Sequence, residues 1–320
     1  MRPWHVPRRR ADRGVPASPR GETGLTRLIA LVGPTAAGKS RLAMEIAERV
    51  GAEILSVDSM QVYRGMDIGT AKPTPDERER VRHHMIDIAE PQEPFTVARF
   101  RRLARQAIEH TTAPVVLIVG GSGLHFRSVV DPMLFRPFDP AVRAEIEKGS
   151  VEELIRELEA ADPDAGRYVD FSNPRRVKRA VEALRVGGVT PSALAVTEER
   201  RRFHEYRPEL PFVGFGIDTD NIEGRVEERL ATMRRAGLLE EVERLAPRLG
   251  PTAAQAVGYK QLLPVVRGEL DVESGFQEAA RATLRLVKRQ RTFFRRDPRL
   301  KWLDGNDETA VETVLREARP

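Results

Sequence analysis

Gly33-Pro34-Thr35-Ala36-Ala37-Gly38-Lys39-Ser40 fits G-x-x-x-x-G-K-[ST], the pattern of a phosphate-cradling loop. Just upstream, Leu28-Ile29-Ala30-Leu31-Val32 is a short apolar run that reads as a buried strand. Downstream, between Arg41 and Val50, Leu42, Ala43, Ile46, Ala47 and Val50 recur at helical spacing. A strand, a glycine loop and a helix in that order surround an anion with backbone N–H groups and a positive helix end. Lys39 adds a point charge and Ser40 offers a hydroxyl to a Mg²⁺ ion. The alternative, a chance match in a glycine-rich turn, does not account for the flanking strand and helix.

Further strands are expected at Glu53-Ile54-Leu55-Ser56-Val57, Val115–Val119 and Phe212–Ile217, with helical patterns between them, as at Phe95–His110. Alternation of this kind predicts an α/β fold, a P-loop-type parallel sheet with helices on both faces. Ligands of such sheets lie at the carboxyl ends of the strands. Gly33, Asp58 and Gly120 each follow directly on a strand, so three regions of sequence converge on one crevice. From about Phe138 to Arg202 the strand signals vanish, and short charged helices are expected at Pro140–Lys148, Val151–Ala160 and Pro174–Val186. The chain thus divides into a basic tail (1–24), a first part of the core (25–137) and an all-helical insertion domain (138–204). A second part of the core with basic helices (205–300, including Arg225–Ala236 and Phe276–Arg296) and a C-terminal tail (301–320) complete it.

Composition narrows the function. There are 320 residues and no cysteine, which excludes disulfides, cysteine zinc sites and a cysteine nucleophile. The lack of cysteine suits a cytoplasmic protein; no apolar run approaches the roughly 18 residues of a membrane span, and the N-terminus has no apolar signal core. Net charge is +5, from 53 bases against 48 acids. The excess is clustered. Arg2, Arg8, Arg9, Arg10, Arg13 and Arg20 face only Asp12 within a proline-containing segment that reads as a disordered tail. Arg175-Arg176-Val177-Lys178-Arg179 opens a helix of the insertion, and Arg281, Arg285, Lys288, Arg289 and Arg296 fall mostly on one face of the last long helix. Single runs of this kind are usually solvated faces. Two of them flanking a phosphate crevice point to a polyanionic partner.

At the crevice, Asp58 in Ser56-Val57-Asp58-Ser59-Met60-Gln61-Val62-Tyr63 can take a proton, ligate magnesium or cap a turn. The loop Tyr63–Pro73 carries two glycines and two cations beside the phosphate site and suggests substrate contact. Leu117-Ile118-Val119 runs straight into Gly120-Gly121-Ser122-Gly123, with no carboxylate where an ATPase would hold its metal. His83 and His84 are adjacent, and neighbours on a regular element point apart, so they make a poor metal pair. Ala256-Val257-Gly258-Tyr259-Lys260-Gln261 reads as a base-stacking platform or a helix start. On these residues a P-loop small-molecule kinase and a non-catalytic RNA-binding protein with a vestigial phosphate loop both stay open.

Together the motifs resemble one family, the bacterial tRNA dimethylallyltransferases (tRNA isopentenyltransferases). GPTAAGKS at 33–40, SVDSMQVYRGMDIGTAKP at 56–73, HHMIDI at 83–88, VGGSGL at 119–124, NPRRVKRAVEA at 173–183 and AVGYKQ at 256–261 carry the resemblance, from about residue 27 to 296. It implies transfer of a dimethylallyl group from dimethylallyl diphosphate, with Mg²⁺, to N6 of the adenosine immediately 3′ of the tRNA anticodon (adenosine-37), by a monomer. It further implies that Gly33, Pro34, Thr35, Ala36, Ala37, Gly38, Lys39 and Ser40 bind the diphosphate, with Ser40 toward the metal. Asp58 would be the general base, with Thr35, Lys39 and Arg225 stabilising the leaving group; Arg229, one turn on, competes with Arg225. Asp58, Ser59, Met60, Gln61, Ser122, Arg175, Arg176, Val177, Lys178, Arg179, Gly258, Tyr259 and Lys260 would face the tRNA, whose target base must leave its stack. The sequence departs from the family at Ser122, usually Thr, and His125, usually Tyr. The cysteine–histidine finger of eukaryotic members cannot form here.

Overall fold

The computed structural model describes residues 26–136 and 138–318, so the expectation for segment 1–24 lies outside the described residues. Six strands form one sheet: β1 (Arg27–Val32), β2 (Glu53–Ser56), β3 (His83–His84), β4 (Val115–Gly120), β5 (Val213–Asp218) and β6 (Leu300–Asp304). Their order is β3-β2-β4-β1-β5-β6 and every pair is parallel. The helices are α1 (Lys39–Val50), α2 (Pro75–Arg80), α3 (Val97–His110), α4 (Gly123–Val130), α5 (Pro140–Lys148), α6 (Val151–Ala161) and α7 (Pro174–Gly187). There follow α8 (Pro191–Ala195), α9 (Glu198–His204), α10 (Ile222–Arg235), α11 (Leu238–Leu245), α12 (Tyr259–Val266), α13 (Val272–Phe294) and α14 (Thr309–Ala318).

Successive strand residues face opposite sides of a sheet. Accordingly Ala30, Val32, Leu55 and Ile118 enter one apolar cluster, with Phe100, Phe126, Tyr259 and Phe294. Ile29, Leu31, Ile54 and Leu117 enter the other, with Leu42, Ile46, Val311 and Val314. The sheet is buried on both faces, as an all-parallel sheet requires, which explains the unbroken apolar run of β1.

Residues 140–204 contain only helices and turns and close around a core of their own: Ile146, Leu154, Leu158, Ala165, Val169, Val177, Ala180 and Val181. Local signals set the boundaries. Asp139 caps α5, Ser150 and Glu153 form a capping box on α6, and Asn173 followed by Pro174 starts α7. The insertion meets the core at Asp131. That carboxylate is fully buried and is held by Arg127 and Arg299. Arg127 also lies 3.5 Å over the ring of Phe203 and donates to that residue's carbonyl, pinning α9 to the end of α4.

The sequence expectation of a C-terminal tail from 301 needs correcting. Residues 300–304 are the sixth strand, and α14 lays Val311, Val314 and Leu315 against α1. The signal was present: Ala310, Val311, Val314, Leu315 and Ala318 are the buried stripe of an amphipathic helix.

Candidate active site

The strand ends of β1, β2 and β4 are stitched together by backbone. Gly33 N–H donates to Gly120 O at 3.3 Å, Val57 N–H to Val119 O at 2.8 Å and Ser122 N–H to Val57 O at 3.1 Å. The phosphate loop springs from this seam. Gly33 has φ +148°, and a Cβ there would lie 2.1 Å from the carbonyl oxygen of Ile217, so only glycine fits between β1 and β5. Gly38, at φ +90°, turns the chain into α1. Lys39 is buried and donates through Nζ to Pro34 O at 2.5 Å, closing the loop on itself. Burial, then the like charge of Arg229, pulls Lys39 down to about 7, against opposing pulls from Asp58 and Asp218. Ser40 sits exposed in the first turn of α1.

Beside this loop is a crevice of about 410 Å³ lined by Thr35, Asp58, Ser59, Met60, Gly69, Thr70, Ser122, Gly258 and Arg229, with Leu286, Arg289, Gln290 and Phe293 from one face of α13. Asp58 Oδ1 accepts from the Met60 N–H at 2.8 Å and the Gln61 N–H at 3.4 Å. The turn-capping role is therefore real, and it fixes the carboxylate. Oδ2 has no hydrogen-bond partner among the described residues. Ser122 Oγ shares a 2.7 Å hydrogen bond with His125 Nδ1. Burial pushes His125 down to about 4, so it is neutral at pH 7, and its ring stands edge-on to Phe100 at 4.6 Å.

Several sequence expectations change here. Arg225 does not line the crevice. It reaches Ala36 O at 3.3 Å and Asn306 Oδ1, bracing the far side of the loop. Of the two, Arg229 is the one that lines the crevice, where no described residue hydrogen-bonds or ion-pairs with it. Tyr259 is not a stacking platform. It is fully buried, and its hydroxyl donates to Glu241 Oε1 at 2.5 Å. Gln61 turns its amide inward, donating to Thr70 O and Ala71 O while accepting from Ser56 Oγ. Val177 lies in the insertion core. Lys178 pairs with Glu147 and Arg176 with Asp170, whereas Arg175 and Arg179 are exposed with no ion-pair partner among the described residues. Lys260 is exposed and donates to Gln255 Oε1 at 2.9 Å. Of the paired histidines, His84 Nε2 lies 2.6 Å from Glu53 and His83 Nδ1 2.8 Å from Val81 O.

Three residues complete the site that sequence reading did not single out. Gln290 Oε1 accepts from the Thr35 N–H at 2.9 Å, and its Nε2 donates to Gly121 O at 2.9 Å, tying α13 to two of the loops at once. Asp218, at the end of β5, takes Arg291 through both carboxylate oxygens. Glu241 accepts from the N–H groups of Asp67, Ile68 and Gly69 at 2.9–3.0 Å and from Tyr259, so one buried carboxylate shapes the loop that presents Gly69 and Thr70. Tyr259→Phe is expected to lower the unfolding free energy by about 1.5–3 kcal/mol, the worth of a hydrogen bond to a charged group. Urea titration measures it, and an unchanged midpoint would show that Glu241 holds the loop without the phenol.

Known proteins resemble this chain over most of its length. The family model described as IPP transferase matches residues 61–297. The tRNA dimethylallyltransferase of Bifidobacterium longum is 40% identical over 302 residues, covering 90% of each chain. Its counterpart from Moorella thermoacetica is 43% identical over 300 residues, covering 89% of this chain and 92% of its own. Among solved structures, the full-length tRNA isopentenylpyrophosphate transferase from Bacillus halodurans matches with a TM-score of 0.66 and 31% identity, over 91% of this chain and 95% of that one. A eukaryotic dimethylallyltransferase acting on tRNA matches at a TM-score of 0.74 and 23% identity, over 92% and 80%, a likeness of fold. A phosphate loop facing a fixed carboxylate across an open crevice is the arrangement of a transferase that draws its group from a phosphorylated donor. This chain belongs to the IPP transferase family.

Proposed function

We propose that this chain transfers a dimethylallyl group from dimethylallyl diphosphate to N6 of the adenosine immediately 3′ of the anticodon (adenosine-37) in tRNA, releasing diphosphate. The observation that carries this reading is the free Oδ2 of Asp58, opening on the same crevice as the phosphate loop and Arg229. The exocyclic amine is a poor nucleophile, because its lone pair is delocalised into the purine. It needs orientation and a proton acceptor. As N6 bonds to the allylic carbon, the carbon–oxygen bond breaks toward the diphosphate and Asp58 takes the proton from N6. Lys39, the loop N–H groups, Thr35 and Arg229 stabilise the charge gathering on the leaving group. Arg225 acts at one remove, by bracing the loop at Ala36.

The residues fit a Mg²⁺ ion. Magnesium takes oxygen ligands and is commonly held by one or two protein groups plus substrate phosphates. Ser40 Oγ is exposed at the helix end that faces the diphosphate, with no hydrogen-bond partner among the described residues. Bound there with the substrate, the ion supplies charge neutralisation. No helix among the described residues is long and apolar enough to cross a membrane. We assign the protein to the cytoplasm as a monomer acting on the anticodon stem-loop. Incubation with labelled dimethylallyl diphosphate, Mg²⁺ and unmodified tRNA is expected to place label in the RNA. Label transferred to no RNA would overturn the reading.

Arg175 and Arg179 stand free on α7 and supply part of the grip on RNA phosphates. The tRNA affinity is expected to fall steeply with salt, and Arg175→Ala with Arg179→Ala to lower that slope by roughly 1–2 units. Affinity for dimethylallyl diphosphate is expected to stay unchanged. Dissociation constants at several salt concentrations decide it: an equal slope in both proteins would make α7 an ordinary solvated face.

A further inference from the structure

A second cavity, of about 290 Å³, lies where the insertion joins the core and is lined in part by Leu134, Phe135, Arg136, Arg200 and Phe203. Its volume is at the small end for ligand pockets, room for one compact group. Six of the twelve lysines and arginines at 138–204 are ion-paired, among them Arg143 with Glu182, Arg176 with Asp170, Lys178 with Glu147, Arg185 with Glu157 and Arg201 with Glu198. Arg136, Arg200 and the neighbouring Arg179 are not; none has an ion-pair partner among the described residues. Burial, then the like charges of Arg200 and Arg179, holds Arg136 below the usual guanidinium range. Three unneutralised guanidiniums around a half-buried site attract an anion. Beside them, Leu134 and Phe135 are large apolar side chains 44% and 40% exposed, which a folded chain rarely leaves uncovered together.

Anion on one side and flat apolar surface on the other is the chemistry of a single unstacked nucleotide. The position suits one. Helix α4 starts at Gly123 in the active-site crevice and ends at Val130, just before the cavity, so the two sites lie toward opposite ends of a helix about 12 Å long. A few nucleotides of single strand bridge that gap.

We propose that this cavity receives a second nucleotide of the tRNA anticodon loop, its base against Phe135 and Phe203 and its phosphate on Arg136, Arg179 and Arg200. The inference rests on the tRNA reading above and adds to it a position at which the loop is gripped besides the reacting adenosine. Such a grip fixes the register of the loop, so that the adenosine presented to Asp58 is one at a set distance along the strand.

The test uses the full chain and an unmodified anticodon stem-loop RNA, together with a set of the same RNA made abasic at each loop position in turn. Phe135→Ala is expected to weaken binding of the intact RNA roughly 5- to 100-fold, the range for loss of one base–aromatic stack. Phe135→Leu, which keeps an apolar group but removes the flat ring, is expected to weaken it as well. Arg136→Ala with Arg200→Ala is expected to lower the salt slope by roughly one unit. In the wild type, an abasic site at one position other than the acceptor weakens binding, and in Phe135→Ala that same change has no further effect. Unchanged affinity for dimethylallyl diphosphate verifies that each variant is folded. Fully additive penalties at every loop position, or an unaltered salt slope, would overturn the proposal while leaving the transferase reading in place. A wild type that neither binds the stem-loop nor labels it would overturn both.

Discussion

Asp58→Asn is expected to bind both substrates and lose turnover by about 10²- to 10⁴-fold, the usual contribution of a positioned general base. The substitution separates two roles of one carboxylate. Oδ1 caps the turn through the Met60 and Gln61 N–H groups, and an asparagine carbonyl oxygen accepts the same two bonds. The loop geometry therefore survives. Oδ2 is replaced by an NH₂ group, which cannot take a proton from N6. Single-turnover transfer from labelled dimethylallyl diphosphate to tRNA reads the loss, and a thermal melt verifies the fold. A near-normal single-turnover rate would remove Asp58 from the chemistry and leave it only the cap.

Lys39→Ala is expected to weaken dimethylallyl diphosphate binding and to slow transfer by about 10²- to 10³-fold, the scale for loss of one preorganised charge-stabilising donor. Affinity for tRNA is expected to hold. A fall in tRNA affinity without one in diphosphate affinity would show that the phosphate loop does not serve the diphosphate. The pH dependence provides an independent check. Lys39 stands near 7 in the free protein because burial disfavours its charge. An incoming diphosphate restores that charge. Above pH 7, binding must therefore take up a proton, and affinity declines as pH rises. Calorimetry in buffers of different ionisation enthalpy measures the uptake, which Lys39→Ala abolishes. Stability runs the other way. A lysine whose folded pKa lies below its unfolded value binds more protons unfolded than folded across that window, so the free protein gains stability from about pH 7 up to the ordinary lysine range.

Those parts of the fold with a strong local period were legible in the sequence. The phosphate loop, β4 and α5 fall within a residue or so of the pattern that predicts them, because buried parallel strands and capped helices leave signals in adjacent residues. What the sequence hid depends on long-range packing. Strand β6 mixes Lys301 and Asp304 with Leu300 and Trp302, since an edge strand is buried on part of its surface only. Tyr259 beside Gly258 reads as a platform or as a helix start; it does start α12, but that its ring is buried depends on the distant Glu241. Arg225 and Arg229 share a helix, and the choice between them turns on Asn306, in the loop after β6. Gln290 sits in a basic helix with nothing to mark it, because its partners are backbone atoms of two other loops.

The phosphate loop is written near one end of the sequence but is braced from the other. Gln290 holds Thr35 across 255 positions, and Arg41 donates to Gly305 O across 264. Contacts so distant along the chain close late, after loop entropy has been overcome. During synthesis, residues 33–40 leave the ribosome long before Gln290 and Gly305 can brace them, and the nascent polypeptide carries an unfinished catalytic centre until α13 and β6 dock. The same linkage runs in reverse in the mature enzyme: filling the phosphate loop is expected to tighten amide-exchange protection around residues 290 and 305, far from the ligand in sequence.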